Sequence, residues 1–214
     1  MNVRELHYIA YLDNVPSIMR IGILSHQLAS ELNPRSFANQ DVQNRRALRK
    51  VAGKPLHSFV NLYLNARNPA LYAVIMKNGC RELCVLRVSL AVFDRPGVYV
   101  ADGNASDKET SFFKGRQGLE KVNWEILLAE RWSFRGESNE VCEEGYHIVY
   151  DEDEDEEYKE RKRIKCAEVL VPHWVEPEYI VGAYVSCQAT KQKLEELVPG
   201  LMVTIDRHMF FDWG

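Results

Sequence analysis

The sequence predicts an α+β fold. Strand-like and helix-like segments alternate without a regular βαβ rhythm, and the chain contains no internal repeat, which disfavours a doubly wound parallel sheet. With 214 residues, of which 46% are hydrophobic and 10% aromatic, the chain is long enough to bury one good core. We therefore expect a single domain over residues 1–214.

The first half of the chain contains strands and helices with recognisable ends. A strand is expected at 6–12, followed by a short helix that begins after Asp13-Asn14, has Pro16 in its first turn and stops at Gly22. These residue types are common start and stop signals of helices. The spacing at 40–51 also predicts a helix. Further strands are expected at 59–64, 83–89 and 98–101, and further helices at 69–77 and 122–132.

The last third of the chain is marked by charge. Residues 151–157 are seven consecutive carboxylates, and the segment that follows is rich in Lys and Arg. Such a stretch is too charged to bury, so we predict a surface loop at about 134–163. Beyond it the pattern predicts strands beginning near Glu168 and at 179–187, a helix at 190–197, and a closing pair of strands at 202–205 and 208–211.

The overall charge argues against a protein that coats nucleic acid. The net charge is −4 and the isoelectric point is near 5.9, whereas extensive phosphate neutralisation needs a basic surface. The acidic residues are concentrated at 151–157, however, so the remainder of the chain is slightly positive. A local basic groove therefore stays compatible with the composition.

Several other classes of protein are excluded. The longest uncharged apolar stretches are shorter than a membrane span, and the N-terminal segment lacks the order of a signal peptide, so we expect a soluble, cytoplasmic protein. Five scattered cysteines do not form a disulfide framework. Cys80 and Cys84 have no second pair, and the six histidines lack ligand spacing, so no metal is expected. Neither a Walker A nor a Rossmann phosphate loop is present.

Two residues far apart in the sequence indicate a chemistry. Glu168 stands at the head of an apolar, β-prone run that follows the charged tract, where we expect it to face a cleft. Arg46 lies in the basic segment 44–50. A carboxylate stabilises the oxocarbenium-like ribose that forms as a glycosidic bond breaks, and a guanidinium can fork onto a pyrophosphate. Together they suggest a site for a charged dinucleotide.

A series of segments extends this interpretation along nearly the whole chain. The segments are HYIAYLDNVPSIM (7–19), NRR (44–46), LHSFVNLY (56–63), RNPALYA (67–73), VYVAD (98–102), NWE (123–125), AE (167–168) and RHMFFDW (207–213). In this order they resemble the DarT toxins, which are DNA ADP-ribosyltransferases. No single piece is decisive, but the order of the pieces is specific.

The resemblance implies a split antiparallel sheet with flanking helices that holds NAD. It assigns Arg46 and Glu168 as the catalytic arginine and glutamate. The positions that it implies for NAD binding are His7, Tyr8, Ile9, Ala10, Asn14, Ser17, Ser25 and Arg46. This chain departs from the family at Tyr11, where relatives often have His, and its own His7 lies one position from the other usual His. Which of His7, Tyr8 and Tyr11 contacts NAD stays open.

The resemblance also implies single-stranded DNA as the acceptor and a macrodomain antitoxin as a partner. An unstacked base must reach the anomeric carbon, and aromatic side chains are suitable stacking surfaces. The residues expected to bind nucleic acid are Tyr63, Tyr72, Asp102, Lys162, Arg163 and Lys165. The modified base, thymine or guanine, stays open.

Two alternatives to a DNA-directed toxin are kept. One is a transferase of the same fold that acts on RNA or protein, and the other is a non-catalytic nucleic-acid-binding module. The presence of both Arg46 and Glu168 disfavours the second alternative. The acidic charge balance disfavours an enzyme that acts on RNA ends.

Overall fold

The computed structural model describes residues 3–37, 40–132 and 156–211. The strands are β1 (Glu5–Tyr11), β2 (Ile23–Leu24), β3 (Lys50–Val51), β4 (Lys54–Pro55), β5 (Phe59–Tyr63), β6 (Leu83–Ser89), β7 (Tyr99–Ala101), β8 (Phe112–Lys114), β9 (Glu168–Pro172), β10 (Trp174–Val175), β11 (Ile180–Val185) and β12 (Val203–Ile205). The α-helices are α1 (Val15–Ile21), α2 (His26–Ala29), α3 (Gln40–Leu48), α4 (Pro69–Asn78), α5 (Trp124–Leu128), α6 (Glu156–Lys165) and α7 (Gln188–Leu197).

One large sheet organises these elements and confirms the predicted α+β class. Its eight strands follow the order β12-β11-β6-β1-β5-β9-β7-β8, and every neighbouring pair is antiparallel except β11 with β12. Strand β1 pairs with β6 along its whole length, but it meets β5 only where His7 lies opposite Tyr63. The sheet is therefore split between β1 and β5.

Both faces of this sheet are covered, which explains why its strands are so apolar. Alternate residues of β1 point to opposite faces, so Leu6 and Ala10 enter the main core while Ile9 and Tyr11 enter a second cluster. The second cluster also contains Phe210, from the last turn of the described chain. Among the described residues no helix is long and apolar enough to cross a bilayer.

Several predicted boundaries were wrong, and at 40–51 the reason is that pairing between segments overrides local helix spacing. The helix expected at 40–51 ends at Leu48, since Lys50 and Val51 pair with β4. The helix expected at 122–132 covers only Trp124–Leu128. The strand expected at 208–211 is a turn. Strand β8, which pairs with β7, was not predicted.

The charged loop expected at 134–163 is partly a helix. Its residues 134–155 lie outside the described part of the chain, but α6 begins at Glu156 and runs to Lys165. Acidic residues occupy the first turn of α6 and basic residues its last turn, an order that complements the helix dipole. The ion pairs Glu156 with Lys159 and Glu160 with Arg163 add i,i+3 contacts. Charge here favours a helix rather than a loop.

Two glycines that end helices allow a matched test of packing against backbone strain. Gly22 ends α1 and Gly79 ends α4, with φ of 90° and 73° and ψ of 174° in both, a region that is essentially restricted to glycine. A Cβ at Gly22 would lie 2.3 Å from the carbonyl oxygen of Val175, whereas a Cβ at Gly79 would meet nothing within 4 Å.

We expect Gly79→Ala to lower the free energy of unfolding by about 1 to 3 kcal/mol through backbone strain alone. Gly22→Ala should cost about 1 to 3 kcal/mol more, because it adds overpacking against the strand β10. Urea denaturation of the two variants measures the difference. Equal destabilisation would contradict the close approach of α1 and β10.

Candidate active site

Arg46 and Glu168, separated by 122 positions in sequence, meet in the structure. Nη1 of Arg46 lies 3.2 Å from Oε2 and 3.4 Å from Oε1 of Glu168. Their side chains are only 8% and 2% exposed. Glu168 was expected to face a cleft, but it is buried. A buried carboxylate requires a partner of opposite charge, and Arg46 provides it.

The placement of each partner follows from its element. Glu168 is the first residue of β9 and lies opposite Tyr63 of β5 and Ala101 of β7, so three strands fix its backbone. Arg46 lies in the last turn of α3 and points inward, whereas its neighbour Arg45 is exposed. Within the described part of the chain, only Nη1 of the Arg46 guanidinium is hydrogen-bonded. Its other nitrogens stay available to a ligand.

A backbone group completes the surroundings of the carboxylate. The amide N–H of Ala105 donates to Oε1 of Glu168 at 3.3 Å. Ala105 is fully buried in the loop that joins β7 to β8. Arg46 and this amide therefore hold the carboxylate from two directions. The sequence analysis missed Ala105, although the run Asp102-Gly103-Asn104 before it is a typical turn signal.

A row of polar side chains continues across the sheet from Glu168 on the same face. Directly opposite residues of an antiparallel pair share a face, so Glu168, Tyr63 and His7 form a row across β9, β5 and β1. Burial and then the negative charge of Glu168 raise the pKa of Tyr63 well above its ordinary value. Nε2 of His7 lies 3.5 Å from Glu5, while its buried Nδ1 has no hydrogen-bond partner within the described chain.

Glu5 anchors the far end of this row. Its carboxylate accepts hydrogen bonds from Tyr184 at 2.8 Å and from Nε of Arg87 at 2.8 Å. Burial alone would raise the pKa of Glu5, but the bonds from His7, Tyr184 and Arg87 outweigh it and lower the pKa to about 2. Glu5 therefore stays ionised and fixes the His7 ring.

Strand β1, which contains four of the residues predicted to bind NAD, directs its side chains to opposite faces of the sheet. His7, Ile9 and Tyr11 share the face of Glu168, whereas Tyr8 and Ala10 pack on the main core. Any contact of Tyr8 or Ala10 with a ligand on the Glu168 face must therefore involve the backbone. Of the three residues left open, His7 has the free polar atom on that face.

The remaining residues predicted to bind NAD lie around α1 and α2. The side-chain amide of Asn14 donates to the carbonyl of Arg35 at 2.7 Å. Ser17 is half-buried in α1. Ser25 precedes α2 and is 1% exposed, and its Oγ has no hydrogen-bond partner within the described residues. The backbone N–H of Ser25 donates to the carbonyl of His173, just beyond β9, at 2.7 Å.

Arg35, which the sequence analysis missed, ties the segment before α3 to this region. Its guanidinium carbon lies 3.9 Å from the ring centroid of Tyr11, and Nη1 reaches Glu82 at 2.5 Å and Asp13 at 3.4 Å. Lys193 of α7 joins the same two carboxylates. These contacts hold the segment 33–37 across the end of β1 and the start of α1.

A histidine pair adjoins Arg46 and was also missed. The rings of His26 and His57 lie 4.3 Å apart between centroids. Burial and then the charges of His26 and Arg46 lower the pKa of His57, and its buried Nε2 has no hydrogen-bond partner within the described chain. His26 immediately follows Ser25, so this pair connects the α2 region to the buried arginine.

The residues predicted to bind nucleic acid do not form one surface. Tyr63 lies beside Glu168, but Tyr72 of α4 packs edge-to-face against Trp132 and Phe211, with centroids 5.7 Å and 5.2 Å away. Arg67 stacks over Phe211 at 4.2 Å. Tyr72 therefore belongs to an aromatic cluster at the C-terminal turn.

Two of the predicted cations bind groups of the protein itself. Lys165 is 1% exposed, and its ammonium donates to the carbonyls of Leu127 at 3.0 Å and Ala129. Burial lowers the pKa of Lys165 to about 8. Arg163 is ion-paired with Asp102 at 2.9 Å. Both side chains therefore support the protein's own backbone and loops, and the lining of the DNA approach by Lys165 and Arg163 stays a prediction.

Asp102 and Lys162 complete the predicted set. Asp102 accepts from Arg163 and from the backbone N–H of Ser111 at 3.0 Å, so it is a structural acceptor rather than a surface contact. Lys162 is half-buried, with its ammonium 5.4 Å from the Tyr158 ring centroid. Within the described residues no group of three or more His, Cys, Asp or Glu side chains could hold a metal ion.

Known proteins resemble this chain in sequence and in fold. The family model described as "ssDNA thymidine ADP-ribosyltransferase, DarT" matches residues 7–211. A DNA ADP-ribosyl transferase–DNA ADP-ribosyl glycohydrolase fusion protein of Thermosipho africanus (strain H17ap60334) is 29% identical over 202 residues, covering 91% of this chain and 46% of the relative. A DNA ADP-ribosyl transferase of Thermus sp. (strain 2.9) is 28% identical over 138 residues, covering 60% of this chain and 66% of that protein.

Solved structures confirm the fold. The structure of Thermosipho africanus DarTG in complex with ADP-ribose matches with a TM-score of 0.76 and 28% identity, covering 97% of this chain and 51% of that chain. Thermus sp. 2.9 DarT in complex with ADP-ribosylated ssDNA matches with a TM-score of 0.76 and 21% identity, covering 97% and 96%. The chain spans about half the length of the first relative. Since the family model covers residues 7–211, this chain belongs to the DarT family.

Proposed function

We propose that this chain transfers ADP-ribose from NAD to a thymine of single-stranded DNA. The observation that carries the proposal is the buried Arg46–Glu168 pair beside the split of the sheet. Membership of a family described as acting on thymidine in single-stranded DNA supports it. NAD is a substrate of this reaction and is consumed in it.

The site suits a polar, charged ligand. His7 Nδ1 and Ser25 Oγ are buried polar atoms at predicted NAD positions, and neither has a hydrogen-bond partner within the described chain. Leaving such atoms unpaired costs free energy, which a ligand with hydroxyl or amide groups recovers. The unbonded nitrogens of Arg46 add charge-assisted donors for a phosphate.

Glu168 is assigned to the reacting ribose. When the bond between C1′ and the nicotinamide nitrogen breaks, nicotinamide leaves with the bonding electrons and positive charge develops on the ribose. An ionised carboxylate stabilises that charge and accepts a hydrogen bond from a ribose hydroxyl. The contacts from Arg46 and Ala105 fix its orientation before the substrate arrives, so little reorganisation is needed.

The acceptor must be unpaired for chemical reasons. The only ring N–H of thymine in DNA is at N3, on the edge that pairs with adenine. A new bond from N3 to C1′ replaces the N3 proton, so the enzyme needs a base whose pairing edge is free. Tyr63, which lies opposite Glu168, is the described aromatic residue that we assign to contact that base.

The proposal includes a toxic effect and a reversing partner. A template thymine that carries ADP-ribose at its pairing edge cannot pair, which blocks replication. The Thermosipho africanus relative is a fusion with a DNA ADP-ribosyl glycohydrolase, and we assign this chain a macrodomain antitoxin of the same activity. Its place of action is the cytoplasm, where DNA and NAD are both present.

We expect Glu168→Ala to abolish modification of a thymine-containing oligonucleotide, measured by mass, while the affinity for NAD stays within about tenfold. Toxicity on expression should disappear as well. Glu168→Gln keeps the shape and one acceptor, and should be as inactive with a smaller loss of stability. The matched control is Glu178→Gln, at an exposed carboxylate. Wild-type rates in either Glu168 variant would refute the role.

Arg46→Lys should lose most activity although it keeps the charge. Lys offers a point charge in place of the planar fork, at a cost of roughly 2 to 4 kcal/mol in the transition state. The measurement is kcat/KM for NAD, with thermal melting to confirm folding. Arg45→Lys, at the exposed neighbouring position, is the control and should stay active. If Arg46→Lys is nearly silent, Arg46 lies outside the reacting site.

Annealing a perfect complement to the oligonucleotide should slow its modification at least about tenfold, because extracting a paired base costs a few kcal/mol. The assay compares the single strand, the duplex and an RNA of the same sequence under one salt concentration. An oligonucleotide with guanine in place of each thymine tests the base. Equal rates on single strand and duplex, or a preference for RNA, would replace the proposed acceptor.

A further inference from the structure

The end of α6 is fastened to the loop that joins β7 to β8, here called the 102–111 loop. Arg163 makes the connection. Its Nη1 donates to Asp102 at 2.9 Å and to Oγ1 of Thr110 at 3.1 Å, at the two ends of the loop. Its backbone carbonyl accepts from the N–H of Asn104 at 2.9 Å. One residue therefore spans the loop with both side chain and backbone.

Four of the five N–H donors of the Arg163 guanidinium are used within the protein. Its Nε and Nη2 donate to the two oxygens of Glu160 at 2.7 Å each. Together with the bonds of Nη1, these contacts use every nitrogen of the guanidinium. The side chain is only 10% exposed. A buried guanidinium with four of its five donors paired inside the protein is a structural tie rather than a surface charge.

The 102–111 loop packs closely against the Arg163 side chain at Gly103. A Cβ at Gly103 would lie 2.4 Å from Nη1, 2.9 Å from Cγ and 3.0 Å from the carbonyl oxygen of Arg163. Glycine is needed here for space, since its backbone does not have a positive φ. Any side chain at this position must displace Arg163 or the loop.

The 102–111 loop in turn reaches the catalytic carboxylate. Two residues after Gly103, the N–H of Ala105 donates to Oε1 of Glu168 at 3.3 Å. Thr110 Oγ1 donates to the carbonyl of Asn104 at 2.8 Å, which closes the loop around that amide. A shift of the loop therefore moves one of the two groups that orient Glu168.

We infer that Arg163 is a positioning residue of the transferase, which holds the 102–111 loop so that the Ala105 amide orients Glu168. The inference rests on the proposed function for its kinetic consequence. It assigns Asp102, Gly103 and Arg163 to one unit that acts through the loop and touches neither substrate. This role replaces the DNA contact expected from the sequence for Asp102 and Arg163.

Steady-state kinetics of Arg163→Lys, Gly103→Ala and Asp102→Asn test each of the three residues of this unit. Each should lower kcat by about 30- to 100-fold, since small misplacements of a catalytic group have effects of this size. KM for NAD and the dissociation constant for the oligonucleotide should stay within about threefold. Glu156→Gln, at an exposed carboxylate in the first turn of α6 that pairs with Lys159 and does not contact Arg163, is the control and should keep kcat within about twofold.

Combining Arg163→Lys with Gly103→Ala should be no worse than the more severe single variant, because both changes act through the same loop. Weaker oligonucleotide binding with a smaller salt dependence and an unchanged kcat would instead make Arg163 a phosphate contact and overturn the inference. So would independent, additive losses in the double variant.

A second readout does not depend on DNA modification. In protein labelled with 15N-alanine, the amide resonance of Ala105 should move in Glu168→Gln. It should move again in Arg163→Lys and Gly103→Ala, with thermal melting to confirm that each variant is folded. An Ala105 resonance unchanged in those two variants would overturn the inference. If the wild-type chain modified no DNA, the proposed function would fail while this coupling could still be measured.

Discussion

The fold around the site depends on the burial of one carboxylate. Glu168 is 1% exposed at the head of a central strand, where an unpaired charge would cost several kcal/mol. Its ionised form needs a buried cation, and Arg46 provides it by bringing the end of α3 onto the sheet. It also needs a backbone donor, which Ala105 provides by bringing the 102–111 loop to the same carboxylate. A hydrophobic replacement of the pair would satisfy packing equally well. The stability of the fold therefore does not require these charges, which fits the catalytic roles proposed for Arg46 and Glu168.

The Arg46–Glu168 pair lies beside the split of the sheet. Strands β1 and β5 share one point of pairing, at His7 and Tyr63, and beyond it each strand is held only by its outer neighbour. The row of Glu168, Tyr63 and His7 crosses the sheet at that point. Since Glu5 fixes the His7 ring from one side, its free Nδ1 is a rigid acceptor or donor rather than a mobile one. The regular pairing of β1 with β6 and of β5 with β9 thus keeps β1 and β5 apart beyond His7 and Tyr63.

Residue types predicted the class of the fold and the convergence of Arg46 and Glu168 better than they predicted the supports of that pair. Strong local signals gave β1, α1 and α4 nearly as they are, because hydrophobic spacing and glycine stops act within a few residues. The end of α3 was wrong since a hairpin competes for Lys50 and Val51. The structural contacts of Arg163 and Lys165 were not predicted, because a cation near a site has the same sequence signature whether it faces DNA or a carbonyl. Partners such as Asp102, Leu127 and Ala129 are 36 to 61 positions away, beyond any local pattern.

The ion pairs on the two sides of the site differ in exposure to solvent. In the proposed reaction, this difference separates substrate binding from the step at the ribose. Arg35 contacts Asp13 and Glu82 and so holds the segment beside the predicted NAD residues. The side chains of these three residues are 45% to 55% exposed. Exposed pairs contribute little and are screened by salt over about 8 Å at physiological ionic strength. The Arg46–Glu168 pair is almost fully buried and is screened far less. In the proposed reaction, ionic strength therefore acts on how the substrates are held, through Arg35 and through the DNA phosphates, whereas the charges assigned to the step at the ribose are screened far less.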